Sequence, residues 1–147
     1  MNFPGTQSSC RTLLVIASDK ANMQLMVQLI GRRSDWKLLT APNGNDGMRL
    51  ANEAKPNVVI LDTALSDIKA LKVLGQLRGN PLTSHIPVVA VSSDAHRVEI
   101  ESGLHAGFYR YIIKPYKLTD LLDAIDSALN YSMDNSEALH LEERGMV

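Results

Sequence analysis

Five short apolar runs, each followed by a segment of helical spacing, succeed one another along the chain, and this alternation restricts the fold to one class. Residues 13–17 (LLVIA) are an apolar run bounded by polar residues, as expected of a buried strand. After it, Leu25, Met26, Leu29 and Ile30 recur at i, i+1, i+4 and i+5, one face of a helix. Residues 36–40 read as a second strand, closed by the turn signal Pro42-Asn43-Gly44. A helix over 46–54 offers Met48, Leu50 and Ala51 for packing and stops at Pro56. Residues 58–61 form the most apolar, β-branched run in the chain and end at Asp62. Helical spacing returns over 68–77 through Leu71, Val73, Leu74 and Leu77, and strand character over 87–91. A helix over 97–104 and a strand over 109–113 follow. The last helix, over 118–129, carries Leu121, Leu122, Ile125 and Leu129 as its stripe.

Five strand–helix units in succession predict an α/β fold, a parallel sheet covered by helices on both faces. The unbroken apolar character of the first, third and fourth strands agrees, because parallel strands are buried on both sides. Right-handed crossovers leave few topologies, and the doubly wound, flavodoxin-like order 2-1-3-4-5 is the economical one. At 147 residues the chain suits one domain of this kind, and 45% apolar against 21% charged residues is enough for a substantial core. Residues 1–10 read as a loose arm and 11–130 as the folded domain. Residues 131–147 read as a polar tail whose composition allows helix over 137–143.

Charge and composition narrow the functional classes. Lysine and arginine total 15 against 16 acidic residues, which lacks the basic excess of a nucleic-acid binder. The single cysteine, Cys10, excludes an internal disulfide framework and a cysteine-rich zinc site. No apolar run approaches the length that spans a bilayer. The opening MNFPGTQSSC has no basic segment leading into an apolar one, so a secretory signal is not expected. These readings predict a cytoplasmic protein without membrane or nucleic-acid partners.

In an open parallel sheet, functional groups gather outside the carboxyl ends of the strands. Strand three ends in Asp62, strand four runs into Ser92, and strand five runs into Lys114-Pro115. A carboxylate, a hydroxyl and an ammonium at three successive strand ends suit phosphoryl transfer. The carboxylate attacks phosphorus, while hydroxyl and ammonium hold the phosphoryl oxygens. Taken singly, each has a plainer role: Asp as a turn or cap residue, Ser as a loop residue, Lys as a solvated charge. Their joint placement favours the site.

These motifs resemble the receiver domain of two-component response regulators, the CheY-like family, over about residues 11–130. The resemblance rests on Asp62 after PNVVIL, Ser92 in VVAVSSDA, Lys114-Pro115 in YRYIIKPY, and Tyr111 three residues before the lysine. GNPLTSHIPVVAV and GLHAGFYRYIIKP are similar to receivers at the C-terminal ends of hybrid sensor kinases. The resemblance implies that Asp62 is the phosphoacceptor, that Ser92 and Lys114 hold the phosphoryl group, and that Tyr111 is the switch aromatic. It implies a histidine kinase or phosphotransfer protein as donor and a downstream protein as the recipient of the signal. It also implies a face of helix four, strand five and helix five, with Tyr109, Tyr111 and Tyr116 in or beside it, through which a homodimer would form.

The same resemblance implies Mg²⁺, held by two acidic residues after strand one, by Asp62 and by the Ala64 carbonyl. Here the chain reads LLVIASDKANMQLM, which puts Ala17 and Ser18 at the acidic pair. A register shifted by one would instead recruit Asp19, at the expense of the helical stripe that follows. Ser66, Asp67 and Ala70 also stand where the family has Pro-Gly and a further Gly. Mg²⁺ requires oxygen ligands, chiefly carboxylates, so the expected metal site is weak or absent, with Asp19 and Ser18 as its only additional ligands.

Two versions of a non-enzymatic, protein-binding switch therefore stand open: a stand-alone receiver phosphorylated on Asp62, and a pseudo-receiver that binds partners without phosphorylation. Other classes fit less well. A flavodoxin-like cofactor binder needs a glycine- or hydroxyl-rich loop after strand one, and ASDKAN has no glycine. A hydrolase on this sheet needs a G-x-S-x-G elbow that Ser92 lacks, and His85, His96, His105 and His140 have no metal-ligand spacing.

Overall fold

The computed structural model describes residues 10–143, with side chains as far as residue 132. The arm expected over residues 1–10 therefore lies, except for Cys10, outside the described residues. Five parallel strands, β1 (Arg11–Ile16), β2 (Trp36–Ala41), β3 (Val58–Asp62), β4 (Val88–Ser92) and β5 (Arg110–Ile113), lie in the order β2-β1-β3-β4-β5. Between and after them run α1 (Lys20–Ile30), α2 (Gly44–Ala54), α3 (Ala70–Gly79), α4 (Arg97–Ala106) and α5 (Leu118–Glu143). This is the flavodoxin-like topology expected from the alternation of apolar runs.

The period-2 geometry of the strands divides the core into two layers. Leu13, Val15, Val58, Ile60, Val89 and Val91 face one way, against Met26 and Ile30 of α1 and Leu121, Ile125 and Leu129 of α5. Leu14, Ile16, Val59, Leu61, Val88 and Ala90 face the other way, against Ala51 of α2 and Val73, Leu74 and Leu77 of α3. Each fully buried Leu or Ile in these layers contributes roughly 1.5–3 kcal/mol, which makes the sheet a rigid base for whatever its strand ends carry.

The helical stripes differ from the sequence pattern in two places. Leu25 and Leu71 are 47% and 48% exposed. In α1 the buried line is Met26–Ile30, and Leu25 stands one residue, about 100°, off it. In α3 the buried set is Ala70, Val73, Leu74 and Leu77, which leaves Leu71 on the outer side. The final helix continues well past residue 129, to Glu143. Ser132 is buried in it, and the Tyr131 ring lies 5.1 Å from that of Tyr109, the residue just before β5, so packing against the sheet edge carries the helix beyond the expected boundary. Residues 144–147 of the expected tail lie outside the described residues.

Candidate functional site

The central strand β3 places Asp62 at the sheet's carboxyl edge, where its side chain is almost fully buried. One register position over on β4 stands Val91, paired with Asp62, and the next residue, Ser92, pairs with Ile113 of β5. Lys114 follows Ile113 directly. Topology alone thus brings together three groups separated by 30 and 22 residues of sequence.

Both oxygens of Asp62 are engaged within the chain. Its Oδ1 accepts the Ala64 N–H at 2.8 Å. Its Oδ2 accepts the Lys114 ammonium at 2.6 Å, and the same oxygen accepts the Asn22 side-chain amide. The Lys114 side chain is 26% exposed, so the ion pair lies at the mouth of the site rather than in bulk water. The peptide bond from Lys114 to Pro115 is cis.

Ser92 is buried, and its hydroxyl is turned to the Asp94 N–H, 3.0 Å away, while its carbonyl accepts the Lys114 N–H at 2.8 Å. With Tyr111, Thr63, Lys69, Asp94 and Phe108 it lines a cavity of about 180 Å³ beside Asp62. The Tyr111 ring is half-buried and stands edge-on to Phe108, with centroids 6.2 Å apart. Asp94, in the loop beyond Ser92, pairs with the His96 ring at 2.6 Å. The His96 backbone N–H and then its ring hold the Asp94 carboxyl below its usual range, and Asp94 in turn raises His96.

The residues after β1 take a different arrangement from an acidic pair. Ala17 is buried at the strand end, its N–H donating to the Ala41 carbonyl. The Ser18 hydroxyl donates to the Ser66 hydroxyl at 3.1 Å and accepts the Ser66 N–H at 3.0 Å, which straps the β1–α1 loop to the β3–α3 loop. Asp19 opens α1 as its N-cap residue, exposed and without a side-chain capping bond. Asp67 accepts the N–H groups of Gly44 and Asn45, both at 2.9 Å, at the start of α2. These backbone donors, Asn45 first, hold its carboxyl below the usual range.

The sequence reading passed over Asn22 as a site residue. A signal was present: Asn22, Met26 and Ile30 fall at i, i+4 and i+8, so a polar residue stands at the head of the buried stripe of α1. Tyr116 also belongs to this region. Its hydroxyl is buried without a hydrogen-bond partner, and burial, then the negative charge of Asp62, push it up from the ordinary phenol range. Tyr109, by contrast, is engaged with Ser127 and Tyr131 at the sheet edge.

The profile of the response regulator receiver domain matches residues 13–126. The chain belongs to the response regulator receiver family. Among curated proteins it is 28% identical over 119 residues to the polar-differentiation response regulator DivK of Brucella anthropi, covering 81% of this chain and 96% of that protein. It is 26% identical over 128 residues to a segment of histidine kinase P4 of Formosa agariphila, covering 87% of this chain and 9% of the kinase. Among solved structures, a CheY-like receiver domain protein of Methanospirillum hungatei superposes with a TM-score of 0.77 at 21% identity, over 86% of this chain and 99% of the other. No helix among the described residues is long and apolar enough to cross a membrane.

The receiver family implies Mg²⁺ beside the phosphoacceptor, and the donor set present does not meet what that ion asks of its ligands. Both Asp62 oxygens are held by N–H donors. Ala17 offers a methyl group, the Ser18 hydroxyl is committed to Ser66, and Asp19 stands exposed at the helix start. Among the described residues no cluster of three or more His, Cys, Asp or Glu is placed to hold a metal.

Proposed function

We propose that the chain is a receiver module of a two-component phosphorelay, with Asp62 as phosphoacceptor and with output through contact with another protein. The observation that carries this reading is the direct contact of the Lys114 ammonium with a buried carboxylate at the end of the central strand. In the transfer step Asp62 attacks the phosphorus of a phosphoimidazole on a histidine kinase or phosphotransfer protein. The O–P bond forms, the N–P bond breaks, and the imidazole leaves. Lys114 then neutralises the phosphoryl oxygens, and the Ser92 hydroxyl turns from the Asp94 N–H toward them. Tyr111 borders the cavity beside Ser92 and responds to that turn. The module acts as a switch rather than an enzyme, and the α4–β5–α5 face is its candidate surface for a second copy or a downstream protein.

A second reading, a pseudo-receiver that signals by binding alone, is favoured by the three donors, Asn22, Lys114 and the Ala64 N–H, that already hold Asp62. Intact-mass analysis after incubation with acetyl phosphate or phosphoramidate, with and without MgCl₂, separates the two. Gain of one phosphoryl group by the wild type and not by Asp62→Asn supports the phosphoacceptor. Absence of any gain, with a phosphorylated histidine phosphotransfer protein also tried as donor, moves the assignment to the pseudo-receiver.

A further inference from the structure

Asp62 brings one negative charge to its site and meets one positive charge, that of Lys114. The pair is balanced before any ion arrives. The third contact is neutral: the Asn22 amide donates to Oδ2, the oxygen that Lys114 also holds. A carboxamide nitrogen has two N–H donors and a lone pair delocalised into the carbonyl, so it meets the carboxylate on its α1 side as a donor and offers a cation no ligand there. No carboxylate stands at positions 17 and 18, where residue 17 is alanine and Ser18 is bonded to Ser66, and the Ala64 carbonyl that the receiver resemblance implies adds only a neutral acceptor. A divalent cation entering here would find a single carboxylate already shared by three donors, two of them on Oδ2, and would leave the site with two excess positive charges.

We infer that Asn22 is a positioning residue that takes the place of the divalent cation at Asp62, so that the site is closed and charge-balanced without metal. The inference rests on the receiver reading above and concerns how that site is regulated: its readiness is set by Asn22 and Lys114, not by Mg²⁺. Asn22 reaches Asp62 from the first turns of α1, across 40 residues of sequence, and Met26 and Ile30 fix the helix that carries it. The chemistry of the contact sets what a substitution does. Asn22→Asp replaces the donor with a second carboxylate against Oδ2, which creates a divalent site at the expense of repulsion in its absence.

The test uses the full chain as wild type, Asn22→Asp and Asn22→Ala, probed with MnCl₂ and MgCl₂. In the wild type, Mn²⁺ is expected to leave the backbone amides of Thr63 and Ala64 unbroadened in NMR spectra. About 10 mM MgCl₂ should move its Tm by no more than about 1 °C. In Asn22→Asp, Mn²⁺ broadens those amides and MgCl₂ raises a lowered Tm. Asn22→Ala removes the donor without adding a ligand, so its Tm falls and stays unresponsive to MgCl₂. Selective broadening of the wild type at submillimolar Mn²⁺ overturns the inference, as does an Asn22→Ala Tm equal to that of the wild type. Both readouts stand even if Asn22→Asp does not fold. A wild type that binds Mn²⁺ removes this inference and leaves the phosphoacceptor reading intact. Equal labelling of wild type and Asp62→Asn by acetyl phosphate removes that reading and leaves this one.

Discussion

Replacing Lys114 by methionine keeps most of its aliphatic stem and removes the ammonium that balances Asp62. The pair is 2.6 Å apart, with 3% of the Asp62 side chain and 26% of the Lys114 side chain exposed. At an effective dielectric of about 20 the gross attraction at that distance is about 6 kcal/mol, before the desolvation of both groups is subtracted. Breaking a buried pair costs about 3–5 kcal/mol because the surviving charge has no counter-ion. Here Asn22 and the Ala64 N–H still donate to Asp62, which places Lys114→Met near the low end, at about 3 kcal/mol. With a urea m-value of about 2 kcal/mol/M, the unfolding midpoint should fall by roughly 1.5 M. The second half of the experiment is a double-mutant cycle. Asp62→Asn removes the charge that needs a partner, so Lys114→Met on that background should cost less than about 1 kcal/mol, a coupling of about 2 kcal/mol. Additive effects of the two substitutions, or a midpoint unchanged by Lys114→Met alone, would refute the account of Asp62 as a buried carboxylate held by Lys114.

Three further outcomes are expected. Ala17→Asp with Ser18→Asp should lower the Tm without metal and raise it by roughly 5–10 °C at a hundredfold excess of MgCl₂ over its Kd, a response absent from the wild type in differential scanning calorimetry. Asp67→Ala should be less stable than wild type at neutral pH, with the gap closing on acidification. The folded carboxyl is depressed by the Asn45 and Gly44 N–H groups, so its contribution is present above about pH 4 and lost as pH falls through the depressed value. A gap constant from pH 7 to pH 2 in urea melts would count against that role. The Arg78 guanidinium donates to the carbonyls of Ser84, Ile86 and Gly107, so Arg78→Met should cost about 1–3 kcal/mol and speed hydrogen exchange in the α3–β4 and α4–β5 connections; unchanged exchange there contradicts it.

The strand ends were legible because each announces itself locally. Asp62, Ser92 and Lys114 each close an apolar run, and a parallel sheet has only one edge on which such closures meet. The partners of those residues were far less legible. Ser18 meets Ser66 across 48 residues, and neither residue type suggests the other. Asn22 was readable only as the polar head of a buried stripe, and the stripe itself was drawn through Leu25, which the structure exposes. Sequence periodicity locates the face of a helix to within about one residue, or 100°. That is enough to find a core and too coarse to say which side chain at the rim reaches a carboxylate.

The departures from the receiver pattern answer one another. Ser18 stands where the receiver resemblance implies an acidic residue, and its hydroxyl is bonded to Ser66, where the same resemblance implies a different residue. Asp67, the next altered residue, holds the first N–H groups of α2, while Asn22 holds Asp62. The loops after β1 and β3 and the start of α2 are thus tied together by groups supplied from within the chain. Ser18→Asp alone loses the strap to Ser66 and still leaves a methyl group at Ala17. For that reason a metal site rebuilt from the residues after β1 takes both substitutions together. For the same reason Asn22→Asp, which acts on Asp62 directly and leaves the strap intact, is the more economical route to the same end.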